Sequence, residues 1–275
     1  MTEDEIILTH ILKCRSIDLV IDKPILTDAQ TDQFEQFKAR RQAGEPLQYI
    51  LGTCNFMGLE LTVNPSVLVP RPETEQLVDY AINYIKCHSC ESSASGRGPA
   101  KGGGGNPVIK ILDIGTGSGN IAIALAKLVP SAQIISVDVS PDALEIARAN
   151  AKQHGLDERI KFIHKDITKM LPAGDFDLII SNPPYIPTSQ INALPQDVQQ
   201  EPFIALNGGV DGLDFYRLII KYTPSLLRKG ACLMMEFGDG QAEAVKKLLE
   251  HQATFSQIEI FKDLAGRDRI IKAIR

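Results

Sequence analysis

The apolar positions of this 275-residue chain change rhythm twice. Over residues 1–45 they recur at helical spacing: Ile6, Ile7, Ile11 and Leu12 make one stripe, and Phe34 and Phe37 belong to a second. The second helix is predicted to begin near Thr27-Asp28, whose side chains cap free N–H groups. It ends at Lys38-Ala-Arg-Arg41-Gln-Ala-Gly44, with basic residues in the last turn and Gly as the stop. From Phe56 to Val63 a partial alternation around Gly58 suits a short hairpin. Pro70 and Pro72 then hold Val67–Glu75 extended. A helix from Thr74 to about Lys86 follows, with Glu73 and Glu75 at its start and an apolar stripe at Leu77, Val78, Ala81, Ile82 and Ile85.

From Val108 onward strands alternate with helices. Strands are predicted at 108–112, 133–137, 160–163, 176–180 and 231–236, and helices at 121–128, 141–154, 213–227 and 241–251. Two short strands near Ile258 and Ile270 finish the chain, and a long irregular stretch runs from the turn after Ile180 to about Gly212. Such alternation means a largely parallel sheet covered by helices on both faces, an α/β fold. Residues 89–106 are Ser/Gly-rich and almost without large apolar side chains, and they read as a flexible insertion.

Composition narrows the function. A length of 275 residues, 44% hydrophobic and 23% charged, suits a substantial core. The formal charge of −5 gives no overall footprint for gripping nucleic acid, and residues 1–72 carry 7 basic against 10 acidic side chains. The opening Met1-Thr-Glu-Asp-Glu5 lacks the pattern of a signal peptide and no run is long enough to span a membrane, so a cytoplasmic protein is expected. Five scattered cysteines argue against a disulfide framework, and Cys87-His-Ser-Cys90 has no second pair to complete a zinc site, so no metal is expected.

Chemistry enters at three predicted strand ends. Asp113-Ile-Gly-Thr-Gly-Ser-Gly119 joins the first strand to the first helix, and its glycines allow a ligand close to the backbone at a helix N-terminus. It is not the dinucleotide fingerprint, because position 120 is Asn, and no Gly-Lys-Ser/Thr follows to make a P-loop. Asp138 is placed to accept from two ribose hydroxyls, and Asp166 with Ile167 could hold an adenine amino group and ring face. Singly, each Asp is more often a helix cap. The fourth strand ends at Ser181-Asn182-Pro183-Pro184-Tyr185. Two prolines stiffen this turn, fix the Asn182 oxygen and aim a neighbouring carbonyl into the same space. Two fixed acceptors can hold a planar NH2 group by both hydrogens, with Tyr185 as an aromatic wall. That suits chemistry on an amino or amide nitrogen.

Asp113–Gly119, Asp138 and Asn182–Tyr185 together resemble the class I S-adenosylmethionine methyltransferases that modify amino nitrogens. Gly44-Glu-Pro-Leu-Gln-Tyr-Ile-Leu-Gly52, Pro70-Arg-Pro-Glu-Thr-Glu75, Glu201-Pro-Phe-Ile-Ala-Leu-Asn-Gly-Gly209, Asp211-Gly-Leu and Lys262-Asp-Leu-Ala-Gly-Arg-Asp-Arg269 resemble the HemK/PrmC family across nearly the whole chain. The resemblance implies three parts. Residues 1–52 would be an N-terminal helical substrate-docking domain, 53–72 a linking β-hairpin and loop, and 73–275 a seven-stranded Rossmann-like methyltransferase domain. It also implies S-adenosyl-L-methionine as methyl donor, S-adenosyl-L-homocysteine as product, and as substrate the Gln of the Gly-Gly-Gln motif in class 1 peptide chain release factors.

Carried over by residue, Gly115, Thr116, Gly117, Ser118 and Gly119 would pass the methionine part of the cofactor. Asp138 would bind the ribose, Asp166 and Ile167 would flank the adenine, and Asn182 would border the cofactor as well as the target. Asn182, with the carbonyl of Pro183, would hold the amide, while Pro184 and Tyr185 complete the substrate wall. Related sequences often carry an aromatic residue where Ile167 stands. A monomer is expected, with no membrane or direct nucleic-acid partner. Two other readings stay open on sequence. One is methylation of an amino group on adenine, cytosine or guanine in a nucleic acid through the same turn, which usually needs a basic groove. The other is a non-catalytic adapter that keeps the fold.

Overall fold

The structure, a computed structural model, describes residues 1–95, 108–169 and 172–275. Four helices open the chain: α1 (Glu3–Leu12), α2 (Ser16–Ile21), α3 (Asp28–Gln42) and α4 (Leu47–Leu51). Thr2 caps α1 and Thr27 caps α3, each answered by a side chain three residues on, Glu5 and Gln30. A hairpin follows, β1 (Thr53–Phe56) and β2 (Leu59–Thr62), turning through Met57-Gly58. Both turn residues have positive φ, 50° and 76°, which matches the twist of paired strands. The hairpin starts ahead of the predicted alternation because Thr53 pairs with Thr62.

Helix α5 (Pro72–Ser95) runs well past Lys86. Residues 89–95, expected to belong to a flexible insertion, continue this helix, and Cys87–Cys90 lies within it rather than at its exit. No Gly or Pro interrupts the chain before Gly96, so helix propagation has nothing to stop it. The rest of the expected insertion lies outside the described residues.

The remaining elements are β3 (Ile109–Ile114), α6 (Asn120–Leu128), β4 (Ala132–Asp138), α7 (Pro141–Gln153), β5 (Ile160–His164) and β6 (Phe176–Ser181), then α8 (Gln196–Gln199), α9 (Phe203–Leu206), α10 (Asp214–Leu226), β7 (Leu227–Glu236), α11 (Ala242–His251), β8 (Ser256–Lys262) and β9 (Asp268–Ile274). The stretch after β6, expected to be irregular, holds α8, α9 and a 3-10 turn at Thr188–Ala193. Pro187, Pro195 and Pro202 each stand just before one of these short turns. Their fixed φ starts a helix that the following few residues cannot extend.

Seven strands form one sheet in the order β5-β4-β3-β6-β7-β9-β8. The first five are parallel, and β9 lies antiparallel between β7 and β8. Alternation along the central strands assigns two cores. Ile111, Leu178, Ile180, Cys232 and Met234 face α5 and α6, while Leu112, Ile179, Leu233 and Met235 face α10 and α11. Helix α6 is apolar all round, and Ile121 to Ala126 are all buried. Among the described residues no helix is long and apolar enough to cross a membrane.

Asn150 fastens the hairpin to this core. Its side chain is fully buried on α7, its oxygen accepts from the Thr62 N–H at 2.7 Å, and its amide donates to the carbonyls of Thr62 and Ser118 at 3.0 and 2.9 Å. One side chain thus ties the hairpin both to α7 and to the loop after β3. Asn150→Ala should cost about 2–4 kcal/mol, since three bonds vanish and buried partners stay unpaired. Urea unfolding reads this directly, and a loss under ~1 kcal/mol would show that water replaces the amide freely.

Candidate active site

Helices α6 and α7 carry the chain from β3 outward to β4 and β5; it then returns to β6 and passes by α10 to β7. The order therefore reverses between β3 and β6, and the crevice at their carboxyl ends is where an open α/β sheet receives a ligand. Register sets what stands there. Ile114 pairs with both Val137 and Ser181, and Asp138 pairs with His164. The loop after β3, Asp138 and Asn182 therefore share one edge. A cavity of about 320 Å³ opens at this edge, within the usual range for small-molecule sites.

Gly115, Thr116, Gly117 and Ser118 line the cavity. Gly115 and Gly117 have positive φ, 75° and 53°, and open space where a Cβ would stand, so a ligand can lie against the bare backbone. Gly119 does a different job: a Cβ there would meet the Ile123 side chain and Ala147 at 3.0–3.3 Å, so this glycine lets α6 and α7 pack closely. Ser118 Oγ is buried without a hydrogen-bond partner among the described residues, while the buried Thr116 hydroxyl stands by one oxygen of the Asp113 carboxyl. Burial pushes the Asp113 carboxyl up to about 7, with the Ser136 hydroxyl donating to its other oxygen. An unpaired hydroxyl on a bare glycine loop fits a polar ligand tail.

Asp138 accepts from the Gly117 N–H at 2.8 Å and the Ser140 N–H at 2.9 Å, one on each carboxylate oxygen. Burial raises its pKa while these N–H groups favour the charged form. The remaining lone pairs stand at the cavity wall, where hydroxyls of a nucleoside can donate. Asp166 and Ile167 also line the cavity. Asp166 is taken up locally: one oxygen accepts from the Thr168 N–H and hydroxyl, and the other faces Lys169 at 3.1 Å. The Thr168 bonds hold its carboxyl below the usual range. Ile167 is 8% exposed and supplies an apolar wall. The cavity thus offers a glycine cradle, a carboxylate and an apolar face, a set that fits the adenosine and amino-acid parts of the cofactor implied by the resemblance.

Asn182, Pro183 and Pro184 line the same cavity. The Asn182 amide nitrogen donates to Thr74 Oγ1 at 3.0 Å, and Thr74 donates to Glu236 Oε2 at 2.8 Å. Glu236, the last residue of β7, is 1% exposed, and burial pushes its carboxyl up to about 7. Tyr185 lies outside the cavity lining. Its ring packs against the core beneath the turn, its carbonyl accepts from Gln241 Nε2 at 2.8 Å, and burial pushes its hydroxyl up to about 12. It holds the turn from below.

A clasp closes the cavity from the other side. Glu201 is 5% exposed, accepts from the Val69 N–H at 3.0 Å and pairs with Arg71, so the segment before α5 is locked to the loop between α8 and α9. Pro202 of that loop and Ile204 and Ala205 of α9 line the cavity. The helical unit grips α8, just ahead of that loop. Arg41 bridges Glu3 and Asp197, and Gln196 and Gln200 donate to the Ala43 carbonyl. Thr74, Glu201 and Glu236 received no role from sequence. For Glu236 a signal existed, because a lone carboxylate closing the apolar run Cys232-Leu-Met-Met235 is seldom buried without purpose.

Residues 106–262 match the family described as Methyltransferase domain, and residues 2–52 match the PrmC N-terminal domain. The protein named release factor glutamine methyltransferase from Geobacter sulfurreducens is 41% identical over 98% of this chain and 87% of its own length. Its namesake from Moorella thermoacetica is 39% identical over 91% of this chain and 82% of its own. Among solved structures, the catalytic domain of hMettl16 in complex with a MAT2A 3'UTR hairpin superposes with a TM-score of 0.58 at 16% identity, covering 90% of this chain and 82% of that one. A methyltransferase from Pyrococcus furiosus gives 0.55 at 17%, covering 87% and 98%. At such identities these structures establish the fold alone.

The turn after β6 leaves no room beside it. A Cβ on Gly208 would meet Pro184 O, Tyr185 Cα and Gly212 O at 2.8 Å each, all backbone atoms. Gly208→Ala should therefore push the turn aside and cost about 1–3 kcal/mol in urea unfolding. Stability within ~0.5 kcal/mol of the parent would mean that the turn yields freely.

Proposed function

The chain belongs to the release factor glutamine methyltransferases, and from that membership we propose that it methylates the side-chain amide nitrogen of the Gln in the Gly-Gly-Gln motif of class 1 peptide chain release factors. One observation supports this most directly. The Asn182 amide is turned so that its nitrogen is spent on Thr74, leaving Oδ1 without a donor among the described residues, at the wall of a cavity shared with the glycine loop. An acceptor held in that way suits a substrate N–H.

An amide nitrogen is a poor nucleophile because its lone pair is shared with the carbonyl. Asn182 Oδ1 and the Pro183 carbonyl would each accept one hydrogen of the target NH2, which favours a more tetrahedral nitrogen and disperses the positive charge that grows on it. Pre-set acceptors of this kind are typically worth about 3 kcal/mol each. Pro183 and Pro184 keep both acceptors rigid, and Tyr185 anchors them to the core. S-adenosyl-L-methionine, when bound, supplies a methyl group on a positively charged sulfur. Gly115 to Ser118 would cradle its amino-acid end, Asp138 its ribose and Ile167 its base, with Asp166 beside the base edge and Gly119 acting through helix packing. Holding nitrogen and methyl carbon in line adds a proximity gain. Asn is no base, so the proton leaves to a carbonyl or to water after transfer. No metal enters this scheme.

Residues 1–52 serve here as the docking unit, 53–72 as the link and 73–275 as the catalytic domain. The protein works as a cytoplasmic monomer, where release factors act.

Labelled S-adenosylmethionine should transfer its methyl to a release factor and not to its Gln→Ala variant, with DNA, tRNA and rRNA run in parallel. Label confined to a nucleic acid would overturn the protein substrate. Asn182→Ala should lower kcat by about 100-fold or more, while the Kd for the methyl donor moves less than about threefold. Wild-type turnover in that variant would remove Asn182 from the chemistry.

A further inference from the structure

We propose that Thr74 and Glu236 are positioning residues that set the direction of the Asn182 amide. The inference rests on the glutamine-methylation reading and adds two residues that act through Asn182. An Asn amide can sit either way round in the same space, and only one way round presents an acceptor to an NH2 group. The pocket walls do not make that choice by shape, because oxygen and NH2 are nearly the same size. A hydrogen-bond partner must make it.

The chain of bonds does so. Glu236, as a carboxylate, can only accept, and Thr74 has a single hydroxyl hydrogen. That hydrogen is given to Glu236 Oε2 at 2.8 Å. Toward Asn182, Thr74 can then offer only a lone pair, so the amide must turn its NH2 to Thr74 at 3.0 Å and its oxygen to the cavity. Thr74 is 1% exposed and Glu236 equally so, which keeps water from substituting. The three residues come from the start of α5, the end of β7 and the turn after β6, so this is no local capping pattern.

A protonated Glu236 would release Thr74 to point its hydrogen at Asn182 Oδ1, so the ionised form is the one required. Glu236 is faced by Glu73 of α5, Arg71 ahead of it, Arg269 of β9, Tyr216 of α10 and Tyr185 of the turn. Burial opposes its charge most, and Glu73 adds to that, while the Thr74 bond and the two arginines favour it.

The test compares Thr74→Val, which keeps shape and loses the hydroxyl, with Thr74→Ser, which keeps the hydroxyl. Thr74→Ala runs beside them should Val not be accommodated. Thr74→Val should lower kcat about 10- to 100-fold, with KM for the release factor and Kd for S-adenosylhomocysteine within about threefold, and Thr74→Ser should keep kcat within about threefold. Joined to Asn182→Ala, Thr74→Val should add no more than about twofold, because the residue it orients is gone. A Val variant with near-native kcat, equal damage from Ser and Val, or full additivity would each overturn the proposal. In the substrate-free protein, the Asn182 side-chain NH2 resonances should move in Thr74→Val and hold in Thr74→Ser. Unmoved resonances in Thr74→Val would also overturn it. Failure of the release factor to accept label from the wild-type enzyme would instead count against the substrate reading, and the NMR arm would still decide the relay.

Discussion

The pairing of β3 with β6 is the constraint on which the rest of the site depends. Four residue pairs run from Ile111–Leu178 to Ile114–Ser181, and the Ser181 hydroxyl closes the ladder by donating to the Ile114 carbonyl at 2.7 Å. Beyond this closure the chain departs in two directions, into the glycine loop on one side and the double-proline turn on the other. A slip of one residue would send Leu178 and Ile180 to the opposite face of the sheet and take Asn182 away from the cavity. The burial of every residue of β6 holds against such a slip. The geometry of the chemistry is thus inherited from apolar packing well below it.

Charge at this edge follows from the same packing. Asp113, Asp138 and Glu236 stand at or near the ends of β3, β4 and β7, and burial raises the carboxyl pKa of all three. Each is kept from isolation by neighbouring donors: a Ser hydroxyl, two backbone N–H groups, or a Thr hydroxyl. A sheet edge that gathers acids against the cost of desolvation is suited to a ligand carrying positive charge, and a sulfonium with an ammonium tail carries two.

Much of the fold could be read from the chain because its central strands are largely apolar and bounded by turn residues. Strand and helix limits after Val108 shift by a residue or so for most elements, and β7 reaches further back, through Arg228 to Gly230. The tail of α5 was illegible for the opposite reason. Cys-His-Ser-Cys-Glu-Ser-Ser carries no apolar stripe, so periodicity falls silent where the backbone still propagates. The glycine loop, Asp138 and Asn182 could be named from sequence because each directly follows or closes a strand. Thr74 and Glu236 could not be joined in that way, since 162 residues separate them and only the folded sheet brings them within 2.8 Å. Gly119 shows a subtler limit: its motif reads as ligand contact, and its surroundings make it a spacer between helices.

The Glu201–Arg71 clasp spans 130 residues. Contacts at such separation cost much chain entropy unless the intervening strands are already paired. The floor of the cavity needs the chain only as far as Asn182, while its rim needs Glu201 and the anchoring of Tyr185 needs Gln241. The pairing of β3 with β6 is therefore available to a growing polypeptide before the residues that rim the pocket and anchor its turn. Ligand capture is in this sense a report that segments far apart in the chain, from Val69 to Gln241, have come together.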